Sequence, residues 1–144
     1  MRIILFITLL FGLSCSNSKK SSKEQESIQT NEQLIAMLDT IWTTEQEPIT
    51  LRDSMMEMYG VDSKEAEKYQ LIYEKNHVVN EEKITNLLDS TGWPQKEVIG
   101  ELGNMTICNV IQHAENDVRI KYIPMMKEAV LAEQLHPIFG KSKR

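Results

Sequence analysis

Gln112 and His113 stand side by side at the end of an apolar run, ICNVIQHA, residues 107–114. An imidazole titrates near pH 6.5 when unperturbed, so His113 can take or give a proton at neutral pH, and a neighbouring amide can orient it. Other polar side chains are spaced to join it. At about 100° per residue, Ala66, Tyr69, Tyr73, Ile84 and Leu87 share one arc of a helix, and Asn76, His77 and Asn80 interrupt that arc at its middle. Glu45 continues the line of Leu34, Leu38 and Ile41, and Arg52 holds the comparable place before Met55, Met56 and Tyr59. A buried carboxylate left unpaired costs several kcal/mol, so Glu45 is expected to pair with Arg52.

Three uses of these groups are open. In a hydrolase-like enzyme, His113 is the general base, Gln112 orients it, Arg52 stabilises an anion and Glu45 is the second acid or base. In a binding module, a cleft beside Gln112 and His113 takes a protein or small-molecule ligand, with Gln46, Asn76, His77, Asn80 and Trp93 as further contacts. In a scaffold, Glu45, Arg52, Asn76, Asn80 and Gln112 satisfy one another and fix helix register. A non-catalytic module is preferred, because no nucleophile elbow, phosphate-cradling loop or metalloprotease motif is present. His77, His113 and His136 share no ligand spacing, so neither a metal nor a cofactor is expected. Cys108 lies on an apolar helix face, which raises a thiol pKa and argues against a nucleophile. An exposed cluster of Met55, Met58 and Met125 would mark a protein interface.

The elements that position these residues are helical throughout. Leu34, Leu38, Ile41 and Trp42 form the stripe of a helix over about 28–44. Pro48 is expected to interrupt it and to start a second helix ending at Tyr59 before Gly60. Asp62 and Glu65 resemble a capping box opening a long third helix, which ends at Thr91 before Gly92 and Pro94. A short turn at 94–99 follows, and Gly100 and Gly103 are expected to break the chain after it. Asn104 then caps a helix to about Glu115, and a last helix runs to about Leu135 past Pro124. On the penultimate helix, Ile107, Val110, Ile111 and Ala114 centre the apolar arc. Gln112 lies at its edge, and His113 points away with Thr106 and Asn109. The spacing predicts an all-α bundle of about five helices. Glu45, Asn80 and Gln112 are expected to share one interior spot.

The amino terminus defines the chain's placement. Arg2 precedes an apolar run from Ile3 to Leu13, followed by Ser14 and Cys15. That run is too short to cross a bilayer, which needs roughly 20 residues, and the pattern is that of an export signal. It resembles a bacterial lipoprotein signal in which residues 1–14 are removed and Cys15 is lipidated. Residues 15–27 read as a flexible tether, since 16–27 contain no aliphatic or aromatic side chain. Residues 28–137 form one helical domain and 138–144 a basic tail. The expected location is the cell envelope, anchored through lipid on Cys15, facing the periplasm or on the outer membrane. With Arg2 removed with the signal, 15 basic residues (16 minus 1) face 21 acidic ones, a net charge of −6. Such a surface argues against a nucleic-acid partner.

Glu45-Gln46 with Arg52, Asn80 before Gly92-Trp93-Pro94, Gly100 before Gln112-His113-Ala114, and Pro124 beyond them together resemble an uncharacterised bacterial family, a domain of unknown function. Its marks are an acid-Gln-x-x-Arg-like stretch, a Gly-Trp-Pro turn and a Gln-His pair, and the likeness covers about Leu34 to Ala129. The resemblance implies a helical fold and this residue set, without a reaction. His77 stands where an Asp is common in the family. Relatives continue with an Asp-Arg element and a Gln-rich Tyr-Gly stretch, whereas this sequence runs to Arg144 without them; if that stretch completes a site, the site is short of it here.

Overall fold

The computed structural model describes residues 18–137, and the regular structure among them is entirely helical. It comprises α1 (Ser18–Tyr59), α2 (Lys64–Thr91), α3 (Lys96–His113) and α4 (Asn116–Leu131). Four helices stand where about five were expected, because the two helices on either side of Pro48 are one. α1 has 42 residues and passes straight through that proline. Proline removes the N–H that would bond the carbonyl four residues earlier, here that of Thr44. The side chain of Asn76 on α2 fills the vacancy, donating from Nδ2 to the Thr44 carbonyl at 2.9 Å. The backbone acceptor freed by Pro48 is thus satisfied across the helix pair, and the helix continues.

α1 also begins earlier than the apolar pattern suggests, inside the stretch 15–27 expected to be a tether. Lysine, glutamate and glutamine are good helix formers, so a segment with nothing to bury can still extend a helix that packing has nucleated further on. The signal segment, Cys15 and the basic tail lie outside the described residues.

α1 and α2 form an antiparallel hairpin. Gly60, at φ 95°, makes the turn, and Ser63 caps α2 by accepting from the Ala66 N–H at 3.2 Å. One half of the hairpin carries the core: Leu38 and Ile41 on α1 and Ile84 and Leu88 on α2 pack with Ile99, Ile107, Cys108, Val110 and Ile111 of α3. The other half is a two-helix arm in which no residue from 49 to 65 is buried. Met55 on that arm and Met125 on α4 are half-buried, and only Met58 of the three is exposed, so they do not form the exposed cluster that would mark a protein interface.

α3 sits against both hairpin helices and α4. That centrality buries Asn104 and Thr106 as well as the apolar stripe. Thr106, expected to point away with His113, is therefore interior; its hydroxyl donates to the Leu102 carbonyl at 2.9 Å. Gly100 bends the start of α3 at φ 64°, and the carbonyl it exposes accepts from Asn104 Nδ2 at 3.0 Å. Asn104 is thus an internal brace for the bend, and the helix starts before it rather than at it. Gly103 permits close packing, since a Cβ there would lie 2.7 Å from Ile99 Cβ and 3.1 Å from Leu38 Cδ1. α4 is tied back to α2 by Tyr122, whose hydroxyl donates to Asp89 at 2.9 Å, and by Lys121, which binds the other Asp89 oxygen at 2.8 Å. The Gln134 side chain, just past α4, accepts from the Lys96 N–H at 2.7 Å and supplies the cap that α3 lacks locally.

Candidate functional site

Where α3 ends against the hairpin, the core gives way to a cluster of polar groups. Glu45 enters it from α1 and is fully buried. His77 and Asn80, one turn apart on α2, converge on it. His77 Nδ1 lies 3.2 Å and 3.1 Å from the two Glu45 oxygens, and Asn80 Nδ2 donates to Glu45 Oε1 at 2.9 Å. Asn80 also donates to the Thr44 hydroxyl at 3.1 Å. One turn earlier, Asn76 holds the Thr44 carbonyl. Consecutive turns of α2 therefore grip consecutive residues of α1, and an i, i+1, i+4 set of polar residues does it because these positions share one helix face.

The electrostatics favour a charged pair. The carboxylate beside His77 raises its pKa above the usual 6.5, against the opposing effect of burial, and the nearby Glu81 adds to the rise. The backbone of His113, at the last turn of α3, contributes least in the same direction. A cation at a helix C-terminus is stabilised by the unsatisfied carbonyls there. His77 Nε2 is buried and has no hydrogen-bond partner within bonding distance, the nearest carboxylate being Glu81 at 4.0 Å. Tyr73 stacks on the His77 ring with centroids 5.6 Å apart, and His113 meets its edge at 6.5 Å. Burial, and secondarily Glu45, push the Tyr73 phenol above its ordinary value.

The expected partner of Glu45 is different. Arg52 donates from Nε and Nη2 to Asp53 at 2.9 Å and 2.7 Å and from Nη1 to Gln70 at 2.8 Å. Because α1 is unbroken, Arg52 lies two turns beyond Glu45, roughly 10 Å along the axis, and belongs to the two-helix arm. His77 takes the role assigned to the arginine. Gln112 differs from its expected place: it is solvent-exposed on the last turn of α3, whereas Glu45 and Asn80 are buried together. An edge position is buried only where a neighbouring element covers that edge, and the chain leaves the helix directly after His113.

The His113 side chain is exposed, and its ring meets the cluster at the edge of His77. Gln46 is half-buried and lines a shallow surface groove with Trp42, Glu47 and Leu51. A second groove beside it is lined by Pro48, Tyr69 and Asn76. Neither groove is lined by Glu45, His77, Asn80 or His113. Trp93 packs against the core and donates from Nε1 to Asn104 Oδ1 at 2.8 Å, which makes it an anchor of the Gly100 bend. Cys108 is buried, and burial pushes its thiol up to about 12. Among the described residues, no group of three or more His, Cys, Asp or Glu side chains could hold a metal ion.

Two structural polar groups gave little signal in the sequence. Asn104 reads as a helix cap, and Thr106 as an outward residue, because helical periodicity alone cannot show that α3 is covered on several sides. Tyr122 and Asp89 are separated by a turn and a helix, and no local pattern joins them. Compared with known proteins, the chain matches no family model, no curated sequence and no solved structure.

Proposed function

We infer that this chain is a lipid-anchored helical module of the bacterial cell envelope that acts without catalysis, as a structural or binding unit. The observation that carries this reading is the closed environment of Glu45: a fully buried carboxylate whose oxygens are taken by His77 and Asn80 from within the fold. A general acid or base must reach a substrate proton directly or through one water, whereas Glu45 is fully buried with its oxygens engaged by His77 and Asn80. The cluster is better suited to fixing the register of α1 against α2 beside the end of α3. A slip of one residue would strand a buried carboxylate.

Anchoring through Cys15 and a place in the envelope rest on the three-part pattern of the first 15 residues. Membership of the bacterial family with the Gly-Trp-Pro and Gln-His marks rests on the spacing of Glu45-Gln46, Gly92-Trp93-Pro94 and Gln112-His113-Ala114. A thermal-shift screen of the chain against polar metabolites tests the non-catalytic, closed-cluster reading. No compound is expected to raise the melting temperature in a way that depends on the cluster. A ligand whose stabilising effect disappears in both His113→Ala and Glu45→Gln would establish a site there.

A further inference from the structure

His77 joins three helices. It belongs to α2, its Nδ1 lies 3.2 Å and 3.1 Å from the Glu45 oxygens on α1, and its ring is met by that of His113 on α3, with centroids 6.5 Å apart. The two nitrogens of the ring have different surroundings. Glu45 engages Nδ1, whereas Nε2 is buried, with the Glu81 carboxylate 4.0 Å away. α3 ends beside it. Ala114 is extended and donates its N–H to the Val110 carbonyl at 3.0 Å, so the carbonyls after Val110 in the last turn have no helical N–H to accept from. They carry the partial negative charge of a helix C-terminus.

A neutral imidazole has one N–H and an imidazolium has two. The Glu45 carboxylate holds a proton on Nδ1 in either state, so the proton that makes the ring a cation is the one on Nε2. Without it, a buried lone pair faces the Glu81 carboxylate and the carbonyl end of α3, and the contact is repulsive. With it, an N–H faces the same groups and the contact is attractive, the more so for being out of water. The bond to Glu45 survives both states, and the effect of the proton therefore falls on the α3 side. We propose that His77 is a proton-dependent latch for the last turn of α3, which is held against the hairpin while Nε2 is protonated and loosens when that proton leaves.

The titratable groups that face His77 are Glu45 from α1, Tyr73 and Glu81 from α2, and His113 from α3. Arg52 and Glu74 act one step further out, on Tyr73. Glu45 and Glu81 favour the charged ring, as does the His113 backbone, and together they outweigh burial and raise the His77 pKa above 6.5. The latch is thus engaged below that raised value and released as pH rises through it. Release uncovers Ile111 and Ala114, which are buried while the turn is held.

NMR of the full chain in mild detergent between about pH 5 and about pH 9 tests the latch, with the His77 ring signals and the backbone carbon shifts of residues 111–114 followed together. The helical offset of those backbone shifts is expected to be lost with the same midpoint as the His77 titration, while the offsets at Ile84 and Ile107 stay constant. His77→Gln is expected to abolish this pH dependence. Glu81→Gln alters a half-exposed side chain and leaves the Glu45 pair intact, and it is expected to move the ring and turn midpoints to lower pH together. His113→Gln is expected to leave the transition in place. Three results would overturn the proposal: a turn that keeps its helical offset while His77 titrates, a transition that disappears in His113→Gln, or a loss of helical offset at Ile84 and Ile107 in step with the turn.

Discussion

Glu45, His77 and Asn80 show how much one buried charge demands of its neighbours. A carboxylate removed from water needs a cation or several donors, and here it has an imidazole across both oxygens and an amide on one. Asn80→Leu would leave Glu45 Oε1 with His77 alone and strip the Thr44 hydroxyl of its donor. The expected cost is about 1 to 3 kcal/mol in unfolding free energy, read by denaturant or thermal melts, and an unchanged stability would contradict it. His77 gives a pH dependence. Its pKa is raised in the fold by Glu45, so its protonation contributes stability that is fully present below the unfolded value near 6.5 and is lost as pH rises through the raised folded value. Melts across that window should show stability falling with pH in the native chain, and the fall should disappear in His77→Gln. The polar interruptions of the α2 stripe were legible in the sequence, and so was a buried Glu45. The identity of its partner was not, because assigning Arg52 presupposed two short helices that could turn Arg52 back towards Glu45.

At the scale of elements, Pro48 and Asn76 explain that error. Proline is a sound signal for a helix boundary when nothing replaces the N–H it lacks. Here the replacement comes from a residue 28 positions away in sequence, a long-range fact that local pattern cannot contain. The two residues should therefore be energetically coupled. Asn76→Leu is expected to cost about 1 to 3 kcal/mol in the native chain, and clearly less in a Pro48→Ala background, where the backbone N–H returns to the Thr44 carbonyl. A double-mutant cycle with no coupling would show that the Asn76 bond does not compensate the proline. Gly103 makes a parallel case. It looked like a chain breaker, yet it lies inside α3, where a methyl group would press on Ile99 and Leu38. Gly103→Ala is expected to destabilise the fold by about 1 to 3 kcal/mol despite the better helix propensity of alanine, and a raised melting temperature would refute the close-packing explanation.

Across the whole molecule, the helical class follows from apolar periodicity alone. The distribution of the core does not, because periodicity marks which face of each helix is buried without saying which helices are neighbours. α3 becomes the central element and the tip of the hairpin a lightly covered arm, so residues such as Thr106 and Gln112 exchange their expected surroundings. The expected anchor at Cys15 is separable from these questions. Cys15→Ser should abolish metabolic labelling with palmitate and release the chain from membranes, and persistent labelling would remove the lipoprotein assignment. The central claim, that Glu45 and His77 hold one another inside a closed cluster, is most directly tested by NMR titration of the His77 imidazole. A pKa above 6.5 that falls back in Glu45→Gln is the expected result. An imidazole that titrates at or below 6.5 and ignores that substitution would contradict the pairing.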